Sequence, residues 1–403
     1  MRFPAACYQM RATLAPFFAA CLTPSQCRGL ALWVHGTILA GSACQTSVAA
    51  ALTPDCEAGV ATIRQYLREW LYDGQDKAAP CHTEIAIADC FAPLLRWLLH
   101  QWQADQLMLA LDVTNLADRW HALAVSALYR GCAIPVAWHL RRGGQQGEWT
   151  PEFVRLLACL APAVPAELTT VVLMDAGLRS PTLWDAVCGH GWHVIQRQEA
   201  GMYFRPMGWE EGCRADQFVR TAGHAWVGTG TAFKQAATRR DATLAVVWEE
   251  GASAPWVLLT DLAPHQVGVT WYGLRMWMEL GFRALKGLGW QWERTRRTDP
   301  VRAERHWLVL ATATGMTLAT GTRVEDAAAV GMPPTHLHAP PTAAIPRPPP
   351  RVVSVFLLGL SALRLQCSRG RLWQCLWLAP EPWPRPPPTL TIWYDGGAVP
   401  AGA

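Results

Sequence analysis

The stretch Trp271–Arg297, WYGLRMWMELGFRALKGLGWQWERTRR, decides how the chain is read. Apolar residues recur in it at helical spacing and no proline interrupts it, so it predicts one long helix. With Tyr272 at zero and about 100° per residue, Arg275, Glu279, Arg283 and Lys286 fall within roughly 80° of it. Leu274, Trp277, Met278, Ala284, Leu285 and Leu288 lie on the far side, toward a core. A single carboxylate flanked by cations suits a metal ligand set among phosphate contacts. The same pattern also describes a solvated face laced with ion pairs.

Two apolar strands upstream bear on that choice. LMLALDVTNL (107–116) carries Asp112 and LTTVVLMDAG (168–177) carries Asp175. Each aspartate follows a buried run, so its carboxylate can emerge at a sheet edge. Alone, such an aspartate is often a turn or cap residue. Between them, HALAVSALYRGCAIPVAWHLR (121–141) reads as two strands around Arg130-Gly131, and Pro151–Leu160 as a helix. Pro181–His190 reads as a further helix and His193–Arg197 as a strand. That order predicts an α/β fold, a mixed sheet covered by helices, with ligands at the strand ends.

The spacing Tyr-x2-Arg-x3-Glu-x6-Lys, met by Tyr272, Arg275, Glu279 and Lys286, resembles the signature of bacterial insertion-sequence DDE transposases of the IS-four group. Asp112 and Asp175 match the first two acids of that family's triad, and Glu279 the third. MDAGLRS resembles the family's stretch after the second strand, with Ala176 where an arginine is common. The likeness covers roughly residues 107–320, including GWQWERTRRTDPVRAERHWLVLATAT (289–314). It implies a ribonuclease-H-like catalytic domain that cuts and joins transposon ends. It also implies two Mg2+ ions, with Mn2+ able to substitute, because paired cations about 4 Å apart activate an oxygen and neutralise phosphate charge. Asp112 is then expected to bridge both ions, with Asp175 and Glu279 holding one each. Tyr272, Arg275 and Lys286 are expected on the DNA backbone, with Arg283 on the same stripe. Asp118, Asp185 and Asp261 are the competing acids; Asp261 falls in a Thr-Asp-Leu that the family does not use for catalysis.

The 104 positions from Asp175 to Glu279 exceed one helix and turn. Residues 199–262 therefore read as an inserted β-rich segment, with FVRTAGHAWVG, TLAVVWEE and APWVLLTDL as strands. It brings Trp209, Trp226, Trp248 and Trp256, each readable as core packing or as a stacking platform for a flipped base. Arg294, Arg296, Arg297, Arg302 and Arg305 form the densest basic stretch. Arg294 and Arg297 share a face if the helix continues, giving either a phosphate track or an ordinary surface.

Composition bounds the rest. The chain has 403 residues, enough for two or three domains and a large core. Charged residues are 16% and hydrophobic ones 51%, which excludes a disordered chain. A net charge of +4 means that nucleic-acid binding rests on local basic patches. Thirteen cysteines without a C-x-x-C pair argue for reduced thiols and a cytoplasmic location, and against a structural zinc site; the resemblance implies that the protein is nucleoid-associated. Gly29–Leu52 lacks charge, but its His35, Ser42, Gln45, Ser47 and glycines favour buried helices over a membrane span.

Residues 1–104 read as an all-helical N-terminal domain: Thr23 caps a helix to about Leu39, followed by Ala43–Leu52 and Pro54–Leu71. Three short helices suit either a helix-turn-helix on a DNA end or a cap on the next domain. The catalytic domain is expected over 105–322 and a proline-rich linker over 323–351. A short apolar helix at 352–366 and a flexible tail to 403 follow; the helix is a candidate contact to a second subunit in a synaptic homodimer, by analogy with the family. The expected partner is double-stranded DNA, both terminal inverted repeats and target, with no membrane. A catalytically inert DNA-binding relic and a nuclease of the same fold without strand transfer are the alternatives.

Overall fold

The computed structural model describes residues 2–77, 84–116, 119–144, 147–331, 351–370, 377–395 and 397–398. Five helices lead the chain: α1 (Ala5–Phe18), α2 (Pro24–Ala40), α3 (Gln45–Leu52), α4 (Val60–Leu71) and α5 (Phe91–Leu99). Thr23 starts α2 by a reciprocal cap: its hydroxyl accepts from the Gln26 N–H at 3.2 Å, and the Gln26 side chain accepts from the Thr23 N–H at 2.8 Å. Every residue from Leu30 to Ile38 is buried, so the exposed part of α2 lies in its first turns, where Arg28 stands. Arg64 and Arg68 on α4 and Arg96 on α5 are exposed as well.

The apolar run at 107–116 becomes β1 (Gln106–Leu116), and β2 (Trp120–Tyr129) and β3 (Cys132–Arg142) follow as an antiparallel meander. Helix α6 (Thr150–Leu160) crosses to β4 (Thr169–Met174), parallel to β1. Helix α7 (Pro181–Gly189) crosses to β5 (His193–Gln198), parallel to β4. The order β3-β2-β1-β4-β5 is a mixed sheet compatible with a ribonuclease-H-like transposase.

The segment read as an insertion extends that same sheet. Strands β6 (Tyr203–Pro206), β7 (Cys213–Arg214), β8 (His224–Ala232), β9 (Arg240–Trp248) and β10 (Trp256–Thr260) follow β5. β10 pairs antiparallel with β5, and β9 and β8 continue outward, while β6 and β7 branch from β8. An exposed edge strand invites stray pairing, and joining β10 to β5 removes one.

The stretch 271–297 is not one helix. A 3-10 turn over Trp271–Arg275 leads into α8 (Met276–Leu285). Lys286 then leaves helical geometry with ψ −136°, beside Gly287 and Gly289. Trp290 and Trp292 turn inward and are buried, and the Trp290 indole donates to Thr314 at 2.9 Å. Burying two tryptophans outweighs extending an exposed helix, as tertiary packing commonly overrides propensity.

Helix α9 (Pro300–Ala329) runs through the centre, packed on β3 on one side and on α2 and α10 (Val355–Ser368) on the others. It carries seven residues beyond the boundary expected at 322. A Cβ on Gly359 of α10 would collide with the Thr317 carbonyl of α9, so glycine sets this close approach. Val355, Phe356, Leu363 and Cys367 are buried there, while Leu357 and Leu365 stay exposed. Most of the linker expected at 323–351 lies outside the described residues.

The final segment, read as a flexible tail, contains β11 (Thr391–Tyr394) and β12 (Gly397–Ala398). β11 adds parallel to β8, and β12 pairs with β11. Among the described residues no helix is long and apolar enough to cross a membrane.

Candidate active site

The register of the central strands brings two aspartates together. Leu111 of β1 is paired with Met174 of β4, so the next residue on each strand is Asp112 and Asp175. Neighbouring strands lie about 4.8 Å apart, and residues at one level of a parallel pair point the same way. Asp112 is not at the strand end, as expected from sequence; β1 continues to Leu116 on its β2 side. Only the β4 side ends there, which opens space above both carboxylates.

Helix α8 covers this opening. Its approach to β3 is fixed at Gly281, where a Cβ would stand 2.7 Å from Ala133 Cβ. Six residues earlier, just ahead of α8, Arg275 Nη2 sits 3.0 Å from Asp112 Oδ1 and 3.3 Å from Asp175 Oδ2. The Tyr272 hydroxyl donates to Asp175 Oδ1 at 3.1 Å, and Trp256 packs edge-on against the Tyr272 ring at 5.4 Å. Lys286 Nζ donates to Thr114 Oγ1 and to the Asn115 carbonyl, both at 2.9 Å. Tyr272, Arg275 and Lys286 thus all reach β1 or β4.

The two aspartates differ electrostatically. Burial pushes the Asp112 carboxyl above its ordinary range, opposed by Arg275 and the Val113 N–H and reinforced by the charges of Asp175 and Glu279. Burial also acts on Asp175, but the Ala176 N–H at 2.7 Å, Arg275 and Tyr272 together hold it below the usual range. Burial raises the Tyr272 phenol, and the Asp175 charge and the bond to it add to that rise. Burial lowers Lys286.

Glu279 lies one turn beyond Arg275 and is exposed. It is close enough for its charge to act on Asp112, yet no three His, Cys, Asp or Glu side chains are gathered for a metal ion among the described residues. The expected triad is therefore assembled as a pair plus a neighbour, with Arg275 between the pair. The oxygen donors themselves suit Mg2+ or Mn2+, and two of the three already converge on one cationic atom.

Several expected DNA contacts fall elsewhere. Arg283 and Arg294 are exposed, Arg294 bonding to Gln291 Oε1 at 3.0 Å. Arg297 turns inward, its Nε donating to His306 Nδ1 at 2.9 Å, and burial lowers it to about 10. Because the helix stops at Leu285, Arg294 and Arg297 share no helical face. Arg302 pairs with Asp76 at 2.6 Å and buried Arg305 with Asp73 at 2.7 Å. Two of the five arginines of the basic stretch, Arg302 and Arg305, therefore tie α9 to the N-terminal region.

Arg197 was not singled out from sequence. It lies in the last residues of β5, next to β4, and its guanidinium is 4.0 Å from Asp175 Oδ1. Its strand position was the available signal. Of the competing acids, Asp261 accepts from the Val194 N–H at 2.7 Å at the other end of the sheet, and Asp185 pairs with Arg240 at 2.6 Å. Asp118 lies outside the described residues. Of the four tryptophans, Trp256 is beside the site, Trp226 stacks on Phe218 at 4.2 Å, and Trp248 donates to the Ala252 carbonyl. Trp209 is half exposed in a cleft it shares with Asp261.

No curated protein matches this chain. Residues 150–316 match a family model described as a transposase DDE domain, a span that begins after Asp112 and takes in Asp175, Glu279 and all of α8.

Proposed function

We propose that this protein is a DNA transposase that cuts transposon ends and joins them to target DNA. The observation that carries this is the convergence of Asp112 and Asp175, from adjacent parallel strands, beneath the helix that carries Glu279. The transposase DDE match over 150–316 supports it independently. Membership of the IS-four group is part of the proposal, on the Tyr272, Arg275, Glu279 and Lys286 spacing.

Asp112, Asp175 and Glu279 would hold two divalent cations, whose chemistry is to polarise the scissile phosphate and the attacking oxygen. The chain's own groups supply the rest. The Tyr272 hydroxyl and Ala176 N–H keep Asp175 charged and fixed in direction. Lys286, anchored at the end of β1, presents a cation two residues from Asp112, placed for a DNA phosphate. Arg197 places a cation beside Asp175, on the strand next to the one that Ala176 follows. Hydrolysis forms a bond from a water oxygen to phosphorus and breaks the bond to the 3′ oxygen, which leaves with a proton. Strand transfer repeats the displacement with that 3′-hydroxyl as nucleophile. Glu279 must move toward the aspartates for all three carboxylates to act together. A homodimer holding two ends is part of the proposal.

The test is cleavage of duplex DNA carrying the inverted repeats that flank the gene, with Mg2+ or Mn2+. Wild type is expected to cut and join. Asp112→Asn, Asp175→Asn and Glu279→Gln are each expected to lose about a thousandfold or more, as a metal-dependent displacement loses an essential ligand. A wild type no more active than Asp112→Asn marks an inert DNA binder. Nicking without joining marks a nuclease.

A further inference from the structure

Resting on the proposed metal site, we propose that Arg275 is a built-in gate: it neutralises Asp112 and Asp175 in the free protein and is drawn off them by DNA phosphate, so metal loads only with DNA. Two carboxylates side by side repel one another unless a cation lies between them. Here one nitrogen, Arg275 Nη2, lies 3.0 and 3.3 Å from them and fills that role. Arg275 and Asp112 are sheltered, at 14% and 18% exposure, and Asp175 is partly open at 36%, so the Arg275–Asp112 contact is not a loose surface pair. A guanidinium cannot step aside by losing its proton, since arginine stays charged at any accessible pH.

The contact also leaves the guanidinium underused. Arg275 Nε is buried without a hydrogen-bond partner. A phosphate accepts two parallel N–H bonds from one arginine, so it would satisfy Nε and one Nη together, which the aspartates do not. A DNA backbone laid along the Tyr272–Lys286 stripe therefore competes well for Arg275. Its departure leaves two negative oxygens facing each other, the condition under which a divalent cation binds. By linkage, DNA tightens metal binding by the same factor as metal tightens DNA binding.

The probe is Mn2+ titrated into the full chain, free ion being followed by its paramagnetic resonance signal. Without DNA, Arg275→Gln is expected to bind Mn2+ at least about tenfold more tightly than wild type, within the usual range of site coupling. Wild type mixed with the flanking-repeat duplex, after subtraction of a DNA-only blank, is expected to recover the tighter binding. The second measurement uses no variant, so a failure of Arg275→Gln to fold leaves it intact. Equal wild-type affinity with and without DNA overturns the gate while leaving the metal site standing. Asp112→Asn binding Mn2+ as wild type does in the presence of DNA overturns the metal site, and the gate with it.

Discussion

The Tyr272 hydroxyl donates to Asp175 Oδ1 at 3.1 Å, which couples the first turn of the covering helical segment to the end of β4. With the Ala176 N–H, Arg275 and Arg197, it holds the Asp175 carboxyl below its ordinary range against burial. A depressed carboxyl stabilises the fold above its unfolded pKa, and that contribution is lost as pH falls through the folded value. Tyr272→Phe removes one donor and keeps the ring against Trp256. The acid limb of the pH profile for DNA cleavage should move to higher pH, and the plateau rate should fall by roughly tenfold, the worth of one charge-assisted hydrogen bond. An unchanged acid limb would show that Tyr272 does not tune Asp175.

Arg297 and Arg294 are three residues apart and have opposite fates, which separates stability from DNA binding. Arg297→Ala leaves His306 Nδ1 without its donor in a buried setting. It should cost about 1–3 kcal/mol in a urea melt, as for other orphaned buried polar groups, and leave the salt dependence of DNA binding unchanged. Arg294→Ala and Arg283→Ala should do the reverse. Each should lower the slope of log affinity against log salt by roughly one where it meets a phosphate, with little change in stability. A fall in salt slope for Arg297→Ala would place that side chain on DNA after all.

The contrast between these two arginines shows what was legible in the sequence. Strands β1–β5 were readable because each is an apolar run of strand length bounded by turn residues. The aspartates were readable because they follow such runs. The break after Leu285 was not, since the helical period of α8 continues through Leu288 and Trp290. Its cause is long-range: Trp290 and Trp292 find their cavity against α9, which lies later in the chain. The inward turn of Arg297 follows from the same break. Pairing of Arg302 and Arg305 with Asp76 and Asp73 joins residues more than 220 positions apart, beyond any local pattern. Arg275 on the aspartate pair was half legible, since spacing put it on the right stripe but could not say what it would touch.

His35 and His306 give the fold a proton-linked weakness. Both are fully buried, and neither ring nitrogen of His35 has a hydrogen-bond partner. Burial lowers His35 to about 4 and His306 well below its usual value. For a depressed histidine, the unfolded chain binds the proton first, so stability is complete above the unfolded pKa of about 6.5 and falls as pH drops below it. For His35 the window runs from there down to about 4. Each histidine should remove at most about 1.4 kcal/mol per pH unit inside its window. Urea melts of wild type and His35→Leu between pH 7 and 5 check this. The variant should lose less stability over that range, and parallel curves would refute the assignment.

The segment after residue 377 acts as a strap that ends near the active site. The Ala379 carbonyl accepts from Arg130 Nε at 2.6 Å, at the turn between β2 and β3. Trp383 then packs edge-on against Trp271 at 4.4 Å, and the Pro384 carbonyl accepts from the Thr270 hydroxyl at 2.9 Å. Thr270 and Trp271 immediately precede Tyr272, so the strap holds the start of the segment that aims Tyr272 and Arg275. β11 finally pairs with β8, which keeps the strap under constraint at both ends. Trp383→Ala should cost about 1–3 kcal/mol, less than a fully buried tryptophan because the ring is only partly covered. It should also lower DNA cleavage more than the lost stability explains at temperatures where the fold is intact. A stability-matched control, Leu363→Ala in α10, separates the two effects, since that side chain is buried between helices of the far layer. Equal activity in the two variants would confine the strap to a structural role.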